Sequence, residues 1–521
     1  MNEPHPHTSF RITFGGLLLA MLLASLDQTI VSTALPTIVS DLGGLNQLSW
    51  VVTAYLLAAT VSMPVWGRVS DLYGRKALFQ ATIVVFLIGS ALSGAAQSLG
   101  ELIAFRAFQG LGAGGLMTLA MAIVADLVSP RERGRYQGYI QMVFVLASVA
   151  GPLLGGLFTD HLSWRWVFYV NLPIGAVALA VISFGLHLPV QRGRPRIDYL
   201  GAALLAGALT AILLVTTWGG QQYAWTSTEI IGLGAAAVAL LSAFVAQERR
   251  AAEPIVPLRL FGDRVFVVVA VVLLLTTCAL FAAIVFMPLF FQVVTGASAT
   301  GSGLLILPML LAATTSTAVI GRIVSRTGRY KVFPAIGLVL MATGLFLLSR
   351  MNAGTSRATA SLLTAVFGLG FGMVSQILMI AIQNAAPRRD IGIATASANL
   401  FRSLGGSVGV ALFGAIFASR LDVWLPREVS AAAGHIDAGR LQASPQTLAS
   451  MPATVQHGVA EAVAHSLTTV FLVAAPIAAL GFLVVLFLKE VPLSGPAGPQ
   501  AQAKEKGNVR AEQAGDPAVA R

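Results

Sequence analysis

Apolar runs of about 20 residues recur along almost the whole chain, and each is long enough to cross a bilayer. The approximate spans are 12–36, 48–67, 77–97, 101–125, 136–158, 166–188, 198–218, 228–247, 265–291, 300–321, 332–349, 358–383, 391–418 and 463–488, fourteen in all. Hydrocarbon offers the backbone no hydrogen-bond partners, so segments of this kind cross as helices. The expected fold class is therefore an all-α polytopic membrane protein. Composition agrees: 11% of residues are charged, against about 25% in a soluble domain. The first run is not a signal peptide, because it is too long, contains Asp27 and is followed by many equally apolar runs.

Orientation follows from the basic residues. With a cytoplasmic N-terminus, the inner loops and tails hold 25 of the 33 Lys and Arg residues and the outer loops hold six. That bias places both termini in the cytoplasm. Trp50, Trp164, Trp166, Trp218, Trp225 and Trp424 then fall near the outer face, as interfacial Trp should. The net charge of +11 is spread through short loops, so it reads as a topology signal and not as a nucleic-acid surface. A single cysteine, Cys278, excludes an internal disulfide framework and a cysteine-built metal site. The segment at about 419–462 is expected to be an external loop, and 489–521 a disordered tail.

One charged turn occurs twice. Gly67-Arg68-Val69-Ser70-Asp71-Leu72-Tyr73-Gly74-Arg75-Lys76 lies between spans 2 and 3, and a weaker copy, Gly321 to Lys331, follows 254 positions later. Gly67, Arg68, Gly74 and Arg75 align with Gly321, Arg322, Gly328 and Arg329. Corresponding turns in two halves of a membrane chain suggest an internal duplication. In the second copy Ser325 stands where the first has Asp71, so a latch there should be weaker or absent.

Three ionisable residues lie inside spans: Asp27, Arg106 and Arg402. Such groups are costly in a membrane and mark function by default. Burial disfavours an ionised carboxylate, which suits Asp27 to proton exchange; a structural Asp hydrogen-bonded to a neighbouring helix is the other reading. Arg106 shares a helical face with Gln109, Gly110 and Ala113. It cannot in practice lose its proton, so its role is to hold an acid in place or in its charged form. In span 5, Gly151 and Gly155 stack at four-residue spacing with Pro152 and Gly156 beside them; in span 13, Arg402, Gly405, Gly406 and Gly409 share a face. Small residues so placed let helices approach closely, and a rocking interface is the functional reading. The run Gly110 to Gly115 spells a dinucleotide-binding pattern but follows no strand, so it reads as helix packing. No Gly-Lys dipeptide occurs, which excludes a Walker A loop, and no nucleophile–base or metal constellation points to an enzyme or a cofactor. Phe286, Met287, Phe290 and Phe291 either line a cavity or, as the plainer reading, face lipid or pack in the core.

Together these stretches resemble the major facilitator superfamily, and more narrowly its fourteen-span drug:proton antiporters of the QacA/EmrB type. Gly67 to Lys76 is similar to the superfamily's loop between spans 2 and 3, Arg106 to Gly114 to its span 4 arginine motif, and Gly151 to Gly156 to the antiporter signature. Leu26 to Pro36, Trp164 to Pro173 and Asn399 to Gly409 resemble motifs of spans 1, 6 and 13 in the fourteen-span group. Ser32 and Ala147 depart from those motifs. The resemblance implies a cytoplasmic tail at 1–11, a six-helix bundle at 12–188, two extra spans at 198–247 and a second six-helix bundle at 265–488. It implies Asp27 as the membrane acid with Arg106 its neighbour. Gly67, Asp71, Gly74, Arg75, Lys76 and Asp126 would form a cytoplasmic latch for the outward-open state. The implied activity is proton-driven efflux of amphipathic, cationic or neutral drugs across a bacterial-type inner membrane. Its partners would be that small molecule, protons and the lipid bilayer, with a periplasmic adaptor left open and no nucleic acid. A dedicated exporter of one endogenous metabolite, siderophore or lipid is the alternative, and a membrane sensor without turnover a third.

Overall fold

A computed structural model describes residues 6–42, 48–186, 198–220, 222–429, 453–491 and 493. The first half contains α1 (Pro6–Leu42), α2 (Leu48–Tyr73), α3 (Arg75–Ala95), α4 (Leu99–Leu127), α5 (Arg133–His161) and α6, which is broken at Val170 into Trp166–Tyr169 and Asn171–Gly185. Two helices follow, α7 (Tyr199–Trp218) and α8 (Thr228–Glu248). The second half contains α9 (Arg264–Leu289, continued by a π-turn at Phe290–Val294), α10 (Ala299–Thr327), α11 (Val332–Leu348), α12 (Arg357–Ala385), α13 (Ile391–Glu428) and α14 (Ala453–Val485). Among the described residues, 13 helices are long and apolar enough to cross a membrane, and Val332–Leu348 is a shorter apolar helix.

Polar residues set the helix starts. Ser98 accepts from the Glu101 amide at 3.2 Å while the Glu101 carboxylate accepts from the Gln97 amide at 2.8 Å, a reciprocal cap. Asp198, Ser227, Asp263, Ser298 and Ser356 cap α7, α8, α9, α10 and α12 by accepting from a first-turn amide.

Helices α1–α6 pack among themselves: α1 on α5 and α6, α4 on α2 and α3. Helices α9–α14 do likewise, with α9 on α13 and α14, and α12 on α10 and α11. The α7–α8 pair touches both groups through α7, against α2 and α13. Across the boundary between the groups, α2 and α4 meet α13, and α5 meets α10 and α12. The run Gly110 to Gly115 is helix packing: Gly110 and Gly114 lie against backbone carbonyls of Tyr55 and Ala59 in α2, and Gly112 against Phe86 in α3.

Several helices outrun the apolar runs: α1 begins at Pro6, inside the expected N-terminal tail, and α2 and α10 end at Tyr73 and Thr327. Helix α13 continues ten residues past 418, through Glu428, and α14 starts at Ala453. The extra turns are amphipathic, burying Phe417, Leu421 and Leu425 at four-residue spacing while Arg420 and Asp422 stay exposed, so hydropathy alone misses them. The expected external loop is therefore shorter, and its middle, 430–452, lies outside the described residues. The tail expected from 489 begins ordered: Glu490 accepts the Tyr330 amide at 2.9 Å, and the Val491 amide donates to the Tyr330 hydroxyl at 3.0 Å. The rest of the tail, from 494, and the basic loop at 187–197 lie outside the described residues. Phe286, Met287, Phe290 and Phe291 are all buried, with Phe286 against Phe417 at 5.5 Å, so they are core.

Candidate functional site

Asp27 sits at mid-length in α1 with no solvent exposure. Its Oδ2 accepts from Arg106 Nη1 at 2.6 Å; its Oδ1 accepts from Gln109 Nε2 at 2.9 Å and from Asn171 Nδ2 at 2.7 Å. Four elements meet there. Helix α4 supplies Arg106 and Gln109 from one face, the break in α6 presents Asn171, and α3 supplies Ser90, which accepts from Asn171 at 2.9 Å. Arg106 also donates to Gln109 Oε1 at 2.8 Å and lies 4.0 Å over the ring of Tyr55 in α2. A buried carboxylate is tolerable only when its charge is paired and its lone pairs are satisfied. Here one guanidinium and two amides do both.

The sequence placed Asp27 and Arg106 near one another only through a resemblance; the structure joins them in an ion pair. Asn171 has no role in the sequence reading. Its signal was the helix break before it, which puts a buried amide at a helix start with its Oδ1 left without a partner.

A second cluster joins helix ends of the two groups, on the side expected to be cytoplasmic. Asp71, in the last turn of α2, accepts from the amides of Gly392 and Ile393 at the start of α13, both at 2.9 Å. An anion at a helix N-terminus satisfies free amides and the helix dipole together. Arg75 pairs with Asp71 at 2.8 Å and with Asp126. Gly74, with φ of 95°, makes the turn that brings α3 back so soon after α2. A Cβ at Gly67 would strike Ala396 and the Gly392 carbonyl, so α2 and α13 touch backbone to backbone. Lys76 stays inside the first half, donating to the Ser183 carbonyl in α6 at 2.8 Å.

Three seal residues were not singled out in the sequence. Asp390, fully buried just before α13, takes both bonds from Arg259 Nη2, at 2.9 and 2.7 Å, and lies 3.5 Å from Arg68. Arg68 also pairs with Glu253. Arg259 and Glu253 belong to the segment between α8 and α9, so the connector from the extra helices crosses the seal. The signal available was an acid directly after two arginines at a helix start.

The second copy of the turn also fastens the two groups, by different chemistry. Gly134 at the start of α5 and Gly321 in α10 touch backbone to backbone, as Gly67 and Gly392 do. With Ser325 in place of an acid, the contact reverses: Arg131 donates to the carbonyl of Ser325 at 2.7 Å and to that of Arg326. A cation on a helix C-terminus replaces an anion on a helix N-terminus. A contact between the two groups is present at this turn, made without an acid.

The glycine-rich stretches hold each half together internally. Gly151 and Gly155 of α5 face Thr29, Ile30 and Thr33 of α1, while nothing stands within reach of Gly156, and Pro152 is exposed. Gly405, Gly406 and Gly409 of α13 face Leu274, Phe281 and Cys278 of α9. Neither set lies between the two groups; that boundary is made by Gly67, Gly134, Gly138, Gly321 and Gly392. Arg402 is half-buried at mid-length in α13 and has no hydrogen bond or ion pair among the described residues.

The chain matches the family description Major Facilitator Superfamily over residues 17–410. It is 42% identical over 483 residues to an uncharacterised MFS-type transporter of Mycobacterium tuberculosis, covering 93% of this chain and 70% of that one. It is 36% identical over 518 residues to the multidrug transporter protein MdtP of Bacillus subtilis, covering 94% and 95%. The proton:xylose symporter XylE has a similar fold, with a TM-score of 0.59 at 14% identity, covering 94% of this chain and 98% of that one.

Proposed function

We propose one function for this chain, which belongs to the major facilitator superfamily: proton-driven export of amphipathic small molecules by alternating access, in the manner of the fourteen-span antiporters. The observation that carries the reading is the Asp27 site, a fully buried carboxylate held by one guanidinium and two amides. Similarity to curated multidrug transporters supports the efflux half of the reading.

The proposed cycle uses the chain's own groups. With Asp27 ionised, Arg106 ties α1 to α4, and Asn171 ties both to α6. A proton arriving on Asp27 from the outer side removes the charge that Arg106 neutralises. It also turns an acceptor-only group into one with a donor. The pair then weakens, and the seal around Asp71 and Arg131 opens as α1–α6 and α9–α14 rock as two bodies. Release of the proton inward restores the pair and the outward-facing form. In this scheme residues 12–188 and 265–488 are the moving bundles, 198–247 rides with them, and both termini stay cytoplasmic. The inner seal, closed here, corresponds to the outward-facing state of the cycle.

The test is ethidium uptake into inside-out vesicles driven by a proton gradient. Wild type is expected to transport, an uncoupler to abolish it, and Asp27→Asn to lose it. Gradient-driven transport that survives in Asp27→Asn moves the coupling elsewhere; no transport of any dye by the wild type removes the export reading.

A further inference from the structure

Among the described residues, the charged side chains deep in the helical body are Asp27, Arg106 and Arg402. The first two neutralise each other and are sealed from solvent. Arg402 is different in every respect. Arg106 has a carboxylate, an amide and an aromatic face; Arg402 has no hydrogen bond, ion pair or ring contact among the described residues. It is also half-buried where Arg106 is buried.

Helix α13 is packed by α2, α4, α7, α9, α12 and α14, so it lies along the boundary between the two groups. Gly392 and Ala396, on the same helix, form the inner seal with Gly67. Asn399, next along, contacts Met121 Sδ of α4 across the boundary at 3.8 Å. Arg402 lies one turn further from the inner end than Asn399, and is the first charge beyond the sealed region. One turn further again, Gly406 lies against the ring of Phe281.

A guanidinium inside a membrane protein is costly unless paired, and it keeps its proton throughout. Its fork of donors matches a carboxylate or a similar oxyanion. With Asp27 already paired with Arg106, the charged side chains described deep in the helices leave one positive charge, on Arg402, and no unpaired acid there among the described residues.

We propose that Arg402 is the polar recognition point of the substrate cavity, and that the cargo it selects is an amphipath bearing a carboxylate or comparable oxyanion. This deepens the export reading and rests on it for the direction of movement. It also differs from the cationic or neutral cargo that the family resemblance implied.

The test uses full-length protein in lipid nanodiscs, titrated with dansyl-leucine and with dansyl-leucinamide. The two probes share one apolar body and differ by one carboxylate. The wild type is expected to bind the acid about tenfold or more tightly than the amide, as one charge-assisted pair predicts. Arg402→Gln should bring the two affinities together, and Arg402→Lys should keep part of the difference. Both variants leave every described contact intact, so folding is not expected to suffer. Equal binding of the two probes by the wild type, or a difference that persists in Arg402→Gln, overturns the proposal. Proton-gradient-driven uptake of dansyl-leucine and of ethidium into inside-out vesicles separates the two claims. Uptake of either with equal probe binding sinks the charge preference alone, whereas a charge preference in binding with no uptake of either sinks the export reading alone.

Discussion

In the first half, Gly110 and Gly114 of α4 lie on the carbonyls of Tyr55 and Ala59 in α2; in the second, Gly368 and Gly372 of α12 lie on those of Met309 and Ala313 in α10. Even the serine beside the contact recurs: Ser62 bonds the Ala59 carbonyl and Ser316 the Ala313 carbonyl, each at 3.0 Å. The turns match too. Gly74 donates to the Ser70 carbonyl and Gly328 to that of Val324, and both glycines have positive φ. Against this common scaffold the charges diverge. The first half pairs its membrane arginine and puts an acid on the seal; the second leaves its arginine unpaired and fastens the seal with a cation from the other half. Packing geometry is what recurs in both halves, because a glycine against a carbonyl has no substitute of similar size. Charges at helix ends differ between the halves, and either sign finds a suitable dipole.

Four experiments can break or sharpen that comparison. The largest effect belongs to the scaffold. Gly114→Leu and Gly372→Leu each drive a side chain into a backbone carbonyl, and overpacking of this kind costs about 1–3 kcal/mol or more. Both variants should lose folded protein in size-exclusion chromatography; survival of one alone would show that the halves are not packed alike. Next come Gly67→Leu and Gly134→Leu, which obstruct the two backbone contacts of the seal. Each should shift the balance away from the sealed form by about 10–100-fold. The readout is thiol labelling from the inner side at Gln141→Cys, whose side chain pairs with Gln376 across the boundary. The native Cys278 is buried and should stay silent.

Smaller effects test the charges. Asp71→Asn weakens two bonds to helix-start amides, each charge-assisted, and should cost the sealed form about 1.5–3 kcal/mol. Arg131→Ala on the other fastening should cost about 1 kcal/mol, since its acceptors are neutral carbonyls. Equal labelling rates in the two variants would contradict the assigned asymmetry. Smallest is Glu253→Gln. Its carboxylate is 39% exposed beside Arg68, so transport should change by less than about fivefold, as for a surface pair. A larger loss would make the connector from α8 a principal part of the seal.

How far the sequence revealed this arrangement depends on the kind of interaction. The membrane helices were readable because about 20 apolar residues in hydrocarbon have one stable form. Asp27 and Arg106 stood out because charge inside an apolar run is rare. Asn171 and Asp390 did not, since an amide or an acid at a helix edge looks ordinary until its partners arrive from residues 27 and 259. Which glycines lie between the halves was equally hidden. Gly151 and Gly134 are both small residues on α5, and the identity of the helix opposite decides their roles. The outer turns of α13 were missed because their buried face alternates with Arg420 and Asp422.

The docking of Glu490 and Val491 on Tyr330 has a consequence for biogenesis. The Tyr330 amide and the carboxylate that accepts it are 160 residues apart. At about 5–20 residues per second, synthesis leaves that turn without its acceptor for on the order of 10–30 s. Helix α14, which packs on α9, α11 and α13, is also made last. The second half thus stays an open partial product until translation is nearly finished, and a chain cut short before residue 490 emerges with that turn unfastened.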